Sequence, residues 1–167
     1  TNPEVSITTI SSSYGHLIFL KEDGQAYTLG RNVDGQIGNG KSGYYEYETR
    51  PYNVNDSGDI RGYTNYKIVD VYATTYNTYA ILENGSFFAW GRNTTGGAFS
   101  STGYDTLRPD SYSLGIYGGS ARFVDTNLSL IYILNQFGEV NEYKYYKSDG
   151  LVTTRLFDIE RETAYST

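Results

Sequence analysis

The chain has 167 residues, a formal net charge of −6 and no cysteine. Without cysteine there are no disulfides or thiolate metal sites, and the acidic balance argues against a broad nucleic-acid-binding surface, which needs clustered basic residues. No apolar run reaches the roughly 18 residues that a membrane-spanning helix requires, so no membrane insertion is expected. The hydrophobic content of 38% is sufficient for a folded core.

The first element in chain order is a predicted strand at residues 16–20, which follows a turn-rich bend at residues 11–15. Its apolar, β-branched and aromatic residues, bounded by turn residues, predict a strand that is buried on both faces. The dipeptide Asp23-Gly24 then indicates a tight hairpin. The returning strand at residues 26–29 ends at Gly30, and a Gly-rich loop follows.

This pattern recurs along the chain. Gly24 and Gly85 lie 61 positions apart (85 − 24 = 61), and a weaker third copy places Gly138 another 53 positions on (138 − 85 = 53). A period of this size indicates a solenoid or a propeller. No segment has a sustained helical period with caps, so the chain is predicted to be all-β, with approximate units at 5–67, 68–120 and 121–167. The positions expected to be structural in every repeat are Gly24, Gly30, Gly35, Gly38, Gly85, Gly91, Gly96, Gly138 and Trp90.

The repeat resembles that of the regulator-of-chromosome-condensation family. The resemblance rests on His-x-x-x-Leu-x-x-Asp-Gly-x-x-Tyr-x-x-Gly-x-Asn-x-x-Gly-Gln-Ile-Gly at residues 16–38, and on a shorter match at residues 81–96. It implies β-propeller blades of about four antiparallel strands each. Because propellers use roughly four to eight blades, about three repeats predict an incomplete ring or part of a larger propeller. The missing initiator Met likewise predicts a processed product or a piece of a longer polypeptide.

Residues 35–42, Gly-Gln-Ile-Gly-Asn-Gly-Lys-Ser, match the consensus of a phosphate-binding loop letter for letter. That chemistry also needs a helix directly after the loop, whose N-terminus binds the anion. The segment that follows is a poor helix, with Gly43, three tyrosines and Pro51. The repeat already accounts for the glycines, so we predict no nucleotide and no cofactor.

Two further sequence features, at residues 53–59 and at His16, could have either a chemical or a purely structural role. Residues 53–59 loosely resemble a calcium loop with Gly58 at the sixth position, but Thr64 stands where a bidentate Glu is wanted. The alternative is a solvated turn, and the sequence leaves that choice open. His16 is the only histidine, and it occupies a repeat column that holds Asn77 in the second unit, which favours a structural role. No catalytic group and no enzyme class emerge.

Tyrosines concentrate in the connections between the repeats. Tyr offers a large amphipathic contact area at low entropic cost, which suits a binding surface, whereas packing between blades is the alternative. We predict that the connection from residue 43 to residue 66 faces a partner. Its binding residues are expected to be Tyr44, Tyr45, Tyr47, Tyr52, Tyr63 and Tyr66.

These features predict a non-enzymatic structural or binding module in a larger assembly, with a virion surface or an extracellular fibre or adhesin as the expected location. The expected partners are other protein subunits, either copies of the chain or further blades of the same polypeptide, and not nucleic acid. Four Asn-x-Ser/Thr triplets leave glycans as a further candidate. The alternative that the resemblance implies is a regulatory propeller of the exchange-factor or chromatin-scaffold type, or a protein inhibitor.

Overall fold

A computed structural model describes residues 6–93, 104–112, 121–126, 130–146, 150–158 and 163–164. Within these residues, strands form three antiparallel sheets in which every strand pairs with its neighbours in sequence. This arrangement confirms the all-β fold with antiparallel blades. Each sheet lies inside one of the predicted units, although the unit boundaries themselves stay a prediction.

We call the three sheets blades A, B and C. Blade A consists of β1 (Ile7–Ser13), β2 (His16–Lys21), β3 (Ala26–Arg31) and β4 (Tyr47–Asn53). Blade B consists of β5 (Ile68–Ala73), β6 (Asn77–Leu82), β7 (Phe87–Gly91) and β8 (Thr106–Tyr112). Blade C consists of β9 (Ala121–Thr126), β10 (Leu130–Asn135), β11 (Glu139–Tyr146), β12 (Gly150–Asp158) and β13 (Thr163–Ala164). Two short 3₁₀ helices, Val54–Asp56 and Asp59–Gly62, link blades A and B.

The repeat extends to the irregularities of the sheets. The pairing of β3 with β4 shifts register between Thr28 and Gly30, and the pairing of β7 with β8 shifts between Ala89 and Gly91. Both shifts stand at the same repeat column, 61 residues apart. A register shift of this kind bends the strand and increases its twist, so blades A and B share their curvature as well as their strand order.

The core lies between the blades, in two layers of side chains. Between blades A and B it contains Ile18, Leu20, Ala26, Val54, Ile60, Ile68, Val71, Ala80, Leu82, Phe88 and Trp90. Between blades B and C it contains Tyr79, Ile81, Phe87, Ala89, Ile131, Ile133 and Tyr143. Alternate residues of β6 and β7 point to opposite layers, as the pleat requires. Blade B is therefore buried on both faces, and β6 and β7 are buried at every position.

The structure corrects the prediction that the strand at residues 16–20 is buried on both faces. Its burial alternates, with Ile18 and Leu20 buried and Leu17 and Phe19 partly exposed. The reason is that blade B covers only one side of blade A. The predicted bend before this strand is also shorter than expected, because β1 continues to Ser13.

The predicted connection at residues 43–66 is not a single loop, because β4 occupies its middle. This strand was missed because its exposure does not alternate and because it contains Pro51. As the last strand of its sheet, β4 can accommodate a proline, which has no N–H to donate to a further strand. The length of the connection is thus explained by a fourth strand and two 3₁₀ helices.

The repeat glycines inside the described residues all have positive φ: Gly24, Gly30, Gly35, Gly38, Gly85, Gly91 and Gly138. Gly96 lies outside the described residues. Trp90, the other structural position, is completely buried. Among the described residues, no helix has the length and apolarity needed to cross a bilayer.

Candidate protein-interaction surface

The loop after β3 is folded around one side chain, Asn32. Its amide oxygen accepts a hydrogen bond from the backbone N–H of Ile37 at 3.0 Å, and its amide nitrogen donates to the carbonyl of Lys41 at 3.0 Å. The hydroxyl of Thr28 on β3 donates to the carbonyl of Ile37 at 2.7 Å. These bonds compact the loop, and the side chain of Ile37 is fully buried.

The same loop joins blade A to blade B through the carbonyl of Gln36. This oxygen accepts hydrogen bonds from the hydroxyl of Thr78 at 2.7 Å and from the indole N–H of Trp90 at 2.8 Å. The carbonyl of Gly38 accepts a further bond from the hydroxyl of Ser57 at 2.6 Å. The loop that matches a phosphate-binding consensus is therefore an inter-blade contact, and a short turn and β4, not a helix, follow it.

Beyond this contact the chain forms a turn that is held at both ends. The N–H of Gly43 donates to the carbonyl of Val33 at 3.2 Å, and the N–H of Asn32 donates to the carbonyl of Glu46 at 2.9 Å. Between these anchors, Tyr44 and Tyr45 are 77% and 89% exposed. Their rings meet edge to face with centroids 5.0 Å apart. The turn thus presents two aromatic rings to solvent on a backbone that is hydrogen-bonded to the inter-blade loop.

The exposed aromatic surface continues onto the strands. Tyr47 opens β4, is 61% exposed and pairs with Arg31 of β3. The guanidinium of Arg31 lies 5.8 Å from the ring centroid of Tyr14, a residue that is 72% exposed at the β1–β2 turn. The blade A tip, as we call it, comprises Tyr14, Tyr44, Tyr45, Glu46 and Tyr47. Sequence reasoning missed Tyr14, whose signal is an aromatic residue at the apex of a two-residue turn.

Ion pairs stabilise the base of the tip, and one charged side chain is exposed at its surface. Asp34 forms ion pairs with Arg31 at 2.9 Å and with Arg92 of blade B at 2.7 Å. Arg92 also lies over the ring of Tyr76, 3.6 Å from the centroid. The carboxylate of Glu46 is exposed between the tyrosines. The tip therefore presents aromatic rings and one exposed carboxylate on a base of paired charges.

The six tyrosines proposed from the sequence are not brought together. Tyr52 and Tyr63 pack against the core between blades A and B, and the ring of Tyr63 meets Phe88 edge to face at 5.2 Å. Tyr66 lines a cleft of about 430 Å³ at the opposite end of the blade, beside the β2–β3 hairpin. Tyr44, Tyr45 and Tyr47 alone share the tip, so we drop the other three from the candidate surface.

The residues that resemble a calcium loop use their oxygens for internal contacts. The side-chain oxygen of Asn53 accepts from the N–H of Asn55, and that of Asn55 accepts from the N–H of Ala26 at 2.9 Å. The carboxylate of Asp59 accepts from the hydroxyl of Ser111 at 2.8 Å. Among the described residues, no group of three or more His, Cys, Asp or Glu side chains is arranged to hold a metal ion. This segment ties the 3₁₀ helices to β3 and β8.

His16 takes part in the contact between blades A and B. Its Nε2 lies 3.0 Å from the hydroxyl oxygen of Thr78. Because that hydroxyl gives its proton to the carbonyl of Gln36, His16 must be the donor and carries its proton on Nε2. Burial first, and then the charge of Arg31, lowers the pKa of His16 from 6.5 to about 4. The neutral ring is therefore part of the folded structure at neutral pH.

Stability is expected to fall as the pH drops from 6.5 towards about 4, where the unfolded chain protonates His16 and the folded chain does not. The complete effect of this group is on the order of 3 kcal/mol. Urea unfolding at a series of pH values measures it. The matched control is His16→Asn, since blade B carries Asn77 in this column. The variant should have a shallower pH dependence over this window, and an identical slope in both proteins would contradict the assignment.

The comparisons with known proteins agree with the blades described above. No protein-family model matches the sequence. Human WBSCR16 superposes with a TM-score of 0.71 at 21% identity, covering 87% of this chain and 34% of that chain. Yeast RCC1 (Prp20), in its complex with Kap60, gives a TM-score of 0.71 at 14% identity, with 92% of this chain and 37% of that chain covered. Prp20p from Saccharomyces cerevisiae gives 0.70 at 15% identity, with 92% and 39% covered.

These neighbours confirm, at the level of fold, the resemblance to the regulator-of-chromosome-condensation repeat. The chain spans only about a third of the length of the solved structures that it matches. At identities of 21% and below, the likeness concerns the fold alone. It supplies no site residues, so the tip rests on the geometry described above.

The predicted extracellular or virion-surface location is wrong. The propellers that the chain resembles are intracellular regulators, and the Prp20p structure was described together with its binding to Gsp1p and histones. The roles as a fibre or an adhesin, and glycans as partners, have no support. The neighbours themselves bind proteins, as the complex of yeast RCC1 (Prp20) with Kap60 shows for that protein.

Proposed function

We propose that the chain is a non-enzymatic, protein-binding segment of a regulatory β-propeller, and that its partner docks on the blade A tip. The observation that carries the proposal is the exposure of Tyr44 and Tyr45, at 77% and 89%, on a turn anchored at both ends. The likeness to propellers that bind other proteins supports the class of function.

The physical argument is one of preorganisation. A Tyr ring contributes a large contact area and has few rotatable bonds, so little entropy is lost when a partner covers it. The backbone of the tip is fixed in advance by the bonds to Val33 and Asn32. Aromatic residues at the centre of an interface commonly contribute most of its binding energy. The tip has both properties in one turn.

The chemistry of the tip favours a partner with a cationic surface. The face of a Tyr ring attracts Lys and Arg side chains, and Glu46, which is exposed, stands between Tyr45 and Tyr47 in the sequence. The net charge of −6 adds a long-range attraction for a basic protein. Within the regulatory class, this favours a histone-like partner, and histones are named together with Gsp1p for the neighbour Prp20p.

The test compares two triple variants that each remove three exposed rings. Tyr44→Ser, Tyr45→Ser and Tyr47→Ser alter the tip, whereas Tyr66→Ser, Tyr104→Ser and Phe137→Ser alter exposed rings elsewhere. With purified core histones as the probe, we expect the tip variant to lose about tenfold or more in affinity, because two lost aromatic anchors suffice for that. The control variant should bind within about twofold of the wild-type chain.

Circular dichroism melts show whether each variant is folded, and both are expected to melt close to the wild-type chain because the rings are exposed. Raising the salt concentration should weaken binding, as it does for contacts between opposite charges. The proposal fails if the tip variant binds as well as the wild-type chain or if both variants lose affinity equally. If the wild-type chain does not bind basic proteins, the proposed class of partner is wrong.

A further inference from the structure

The inference concerns Tyr47, the first residue of β4, as the substrate of a modifying enzyme. Its side chain is 61% exposed, and Glu46 and Glu48 stand on either side of it in the sequence. β4 is the last strand of its sheet, so its backbone is extended and one of its edges pairs with no other strand of that sheet. An enzyme that binds its substrate as an extended chain can pair directly with such an edge. Tyr47 therefore offers an accessible hydroxyl in an extended and acidic segment.

The neighbouring tyrosines lack one or more of these properties. Tyr44 and Tyr45 are exposed, but they are the central residues of a hydrogen-bonded turn and not part of a strand. Tyr52 lies on the same strand as Tyr47, but it packs against the core between blades A and B. Of these four tyrosines, Tyr47 is the one that combines exposure, an extended backbone and an acidic residue on both sides.

Arg31 lies directly opposite Tyr47 on the neighbouring strand β3. Side chains at opposite positions of an antiparallel pair project from the same face of the sheet, with Cβ atoms about 4.5–5.5 Å apart. The guanidinium group of Arg31 donates one hydrogen bond among the described residues, from Nη1 to the carboxylate of Asp34 at 2.9 Å. A guanidinium group carries more N–H groups than this bond uses. Arg31 thus has donors to spare on the face of the sheet that carries Tyr47.

The positive charge of Arg31 is only partly compensated. The carboxylate of Asp34 is shared by two guanidinium groups, those of Arg31 at 2.9 Å and Arg92 at 2.7 Å. Glu48 on β4 accepts a hydrogen bond from Asn39 at 3.4 Å, and within the described part of the chain it forms no ion pair with either arginine. Two positive charges therefore share one carboxylate at this place, on a chain whose net charge is −6.

We propose that Tyr47 is a phosphorylation site and that Arg31 receives its phosphate group. In the reaction, the phenolic oxygen of Tyr47 attacks the γ-phosphorus of ATP, and the bond between that phosphorus and the β–γ bridging oxygen breaks. ADP leaves, and the phenolic proton passes to a base of the kinase. The product carries a charge of about −1.5 to −2 near pH 7, together with strong acceptor oxygens. Arg31 can donate its unused N–H groups to these oxygens while it keeps its bond to Asp34.

The phosphate would change the blade A tip in a defined way. A charge-assisted pair between the modified Tyr47 and Arg31 would connect the outer strand of blade A to Asp34 and, through it, to Arg92 of blade B. The tip would also carry a dianion at a position where it now presents a neutral ring. The inference concerns the modification and its receptor, and it does not depend on which partner the tip binds.

The first part of the test identifies the modified residue. The complete chain is incubated with a purified protein-tyrosine kinase and magnesium ATP, and the phosphate is located by peptide mass spectrometry. We expect Tyr47 to be the principal site, so that Tyr47→Phe loses most of the incorporated phosphate. Tyr104→Phe is the matched control and should keep it, because Tyr104 is more exposed, at 81%, and is also followed by an acidic residue. Labelling chiefly at Tyr104, at Tyr44 or at Tyr45, or no labelling of the folded chain, would overturn the assignment of the site.

The second part tests the receptor without the kinase, in a chain that carries genetically encoded phosphotyrosine at position 47. Phosphorus NMR follows the titration of the phosphate. Its second pKa should lie below the ordinary value of about 6, because the guanidinium group of Arg31 favours the dianion. Arg31→Gln should return this pKa to the ordinary value, and Arg31→Lys, which keeps the charge beside Asp34, should return it in part.

Arg50→Gln is the control for charge, because Arg50 is an exposed arginine on β4 itself. In this variant the pKa of the phosphate should stay lowered. Circular dichroism melts establish that each variant is folded. An ordinary pKa in the chain that keeps both arginines, or the same pKa in the Arg31→Gln and Arg50→Gln variants, would overturn the role of Arg31 as the receptor.

Discussion

Replacing Gly91 by alanine is expected to destabilise the protein by about 3–5 kcal/mol, combining backbone strain with a close contact that cannot relax easily. Gly91 has a φ of +113°, and a Cβ built there lies 2.2 Å from the carbonyl oxygen of Tyr76 and 2.9 Å from the Cα of Asn77. Both neighbours are backbone atoms of the β5–β6 turn and the adjacent strand. The glycine is therefore required because two backbone segments pass each other at this point.

The repeat provides a second site and a matched control for this prediction. Gly30, 61 residues earlier, has a φ of +105° and would place a Cβ 2.3 Å from the carbonyl oxygen of Gly15, so Gly30→Ala should behave similarly. Gly62 has no atom within 4 Å of a built Cβ, and Gly62→Ala should change stability by no more than about 0.5 kcal/mol. Urea unfolding followed by circular dichroism measures all three variants. If Gly91→Ala and Gly62→Ala cost the same, the close approach is not as described.

The second large effect is expected from Trp90→Ala, at about 3–5 kcal/mol for the loss of a fully buried Trp ring. Trp90 is 0% exposed in the core between blades A and B, and its indole N–H donates to the carbonyl of Gln36. The truncation leaves a cavity in that core and removes one of the two donors to this carbonyl. Because Trp90 is the only tryptophan, unfolding must be followed by circular dichroism instead of fluorescence.

Trp90→Phe separates the two contributions. Phenylalanine keeps most of the ring volume but cannot donate, so its cost should be about 1–3 kcal/mol, in the range for an unsatisfied buried acceptor. The hydroxyl of Thr78 remains as a second donor to the same oxygen, which places the expected value in the lower part of that range. If Trp90→Ala cost less than about 1 kcal/mol, the packing of blade A on blade B would be in doubt.

The blades could be predicted from the sequence because their signals are local. Asp23-Gly24 and its counterpart at Gly85 mark hairpins, and the spacing from His16 to Gly38 repeats with a fixed offset. For the contact between blades A and B, the sequence predicted which repeat positions are structural, such as Gly38 and Trp90, but not which residues they contact. The bond between His16 and Thr78 joins residues 62 apart, and no local pattern reports such a pairing.

The candidate surface was only half predictable, for a similar reason. Tyr44 and Tyr63 lie in the same Tyr-rich stretch, yet one is 77% exposed and the other packs against Phe88. Composition cannot separate them, because a Tyr side chain suits both a wet and a packed environment. Strand β4 separates these two tyrosines in the chain. It was hard to predict because an edge strand that contains Pro51 need not alternate between apolar and polar residues.

The most direct test of the account is a hydrogen-exchange footprint of the partner on the chain. The chain is labelled free and in complex with the basic protein that it binds, and protection is compared peptide by peptide. The account predicts new protection at residues 43–48 and at the β1–β2 turn around Tyr14, with no change at Tyr66 and the cleft beside it. Protection confined to the cleft would contradict the claim that the partner binds at the blade A tip.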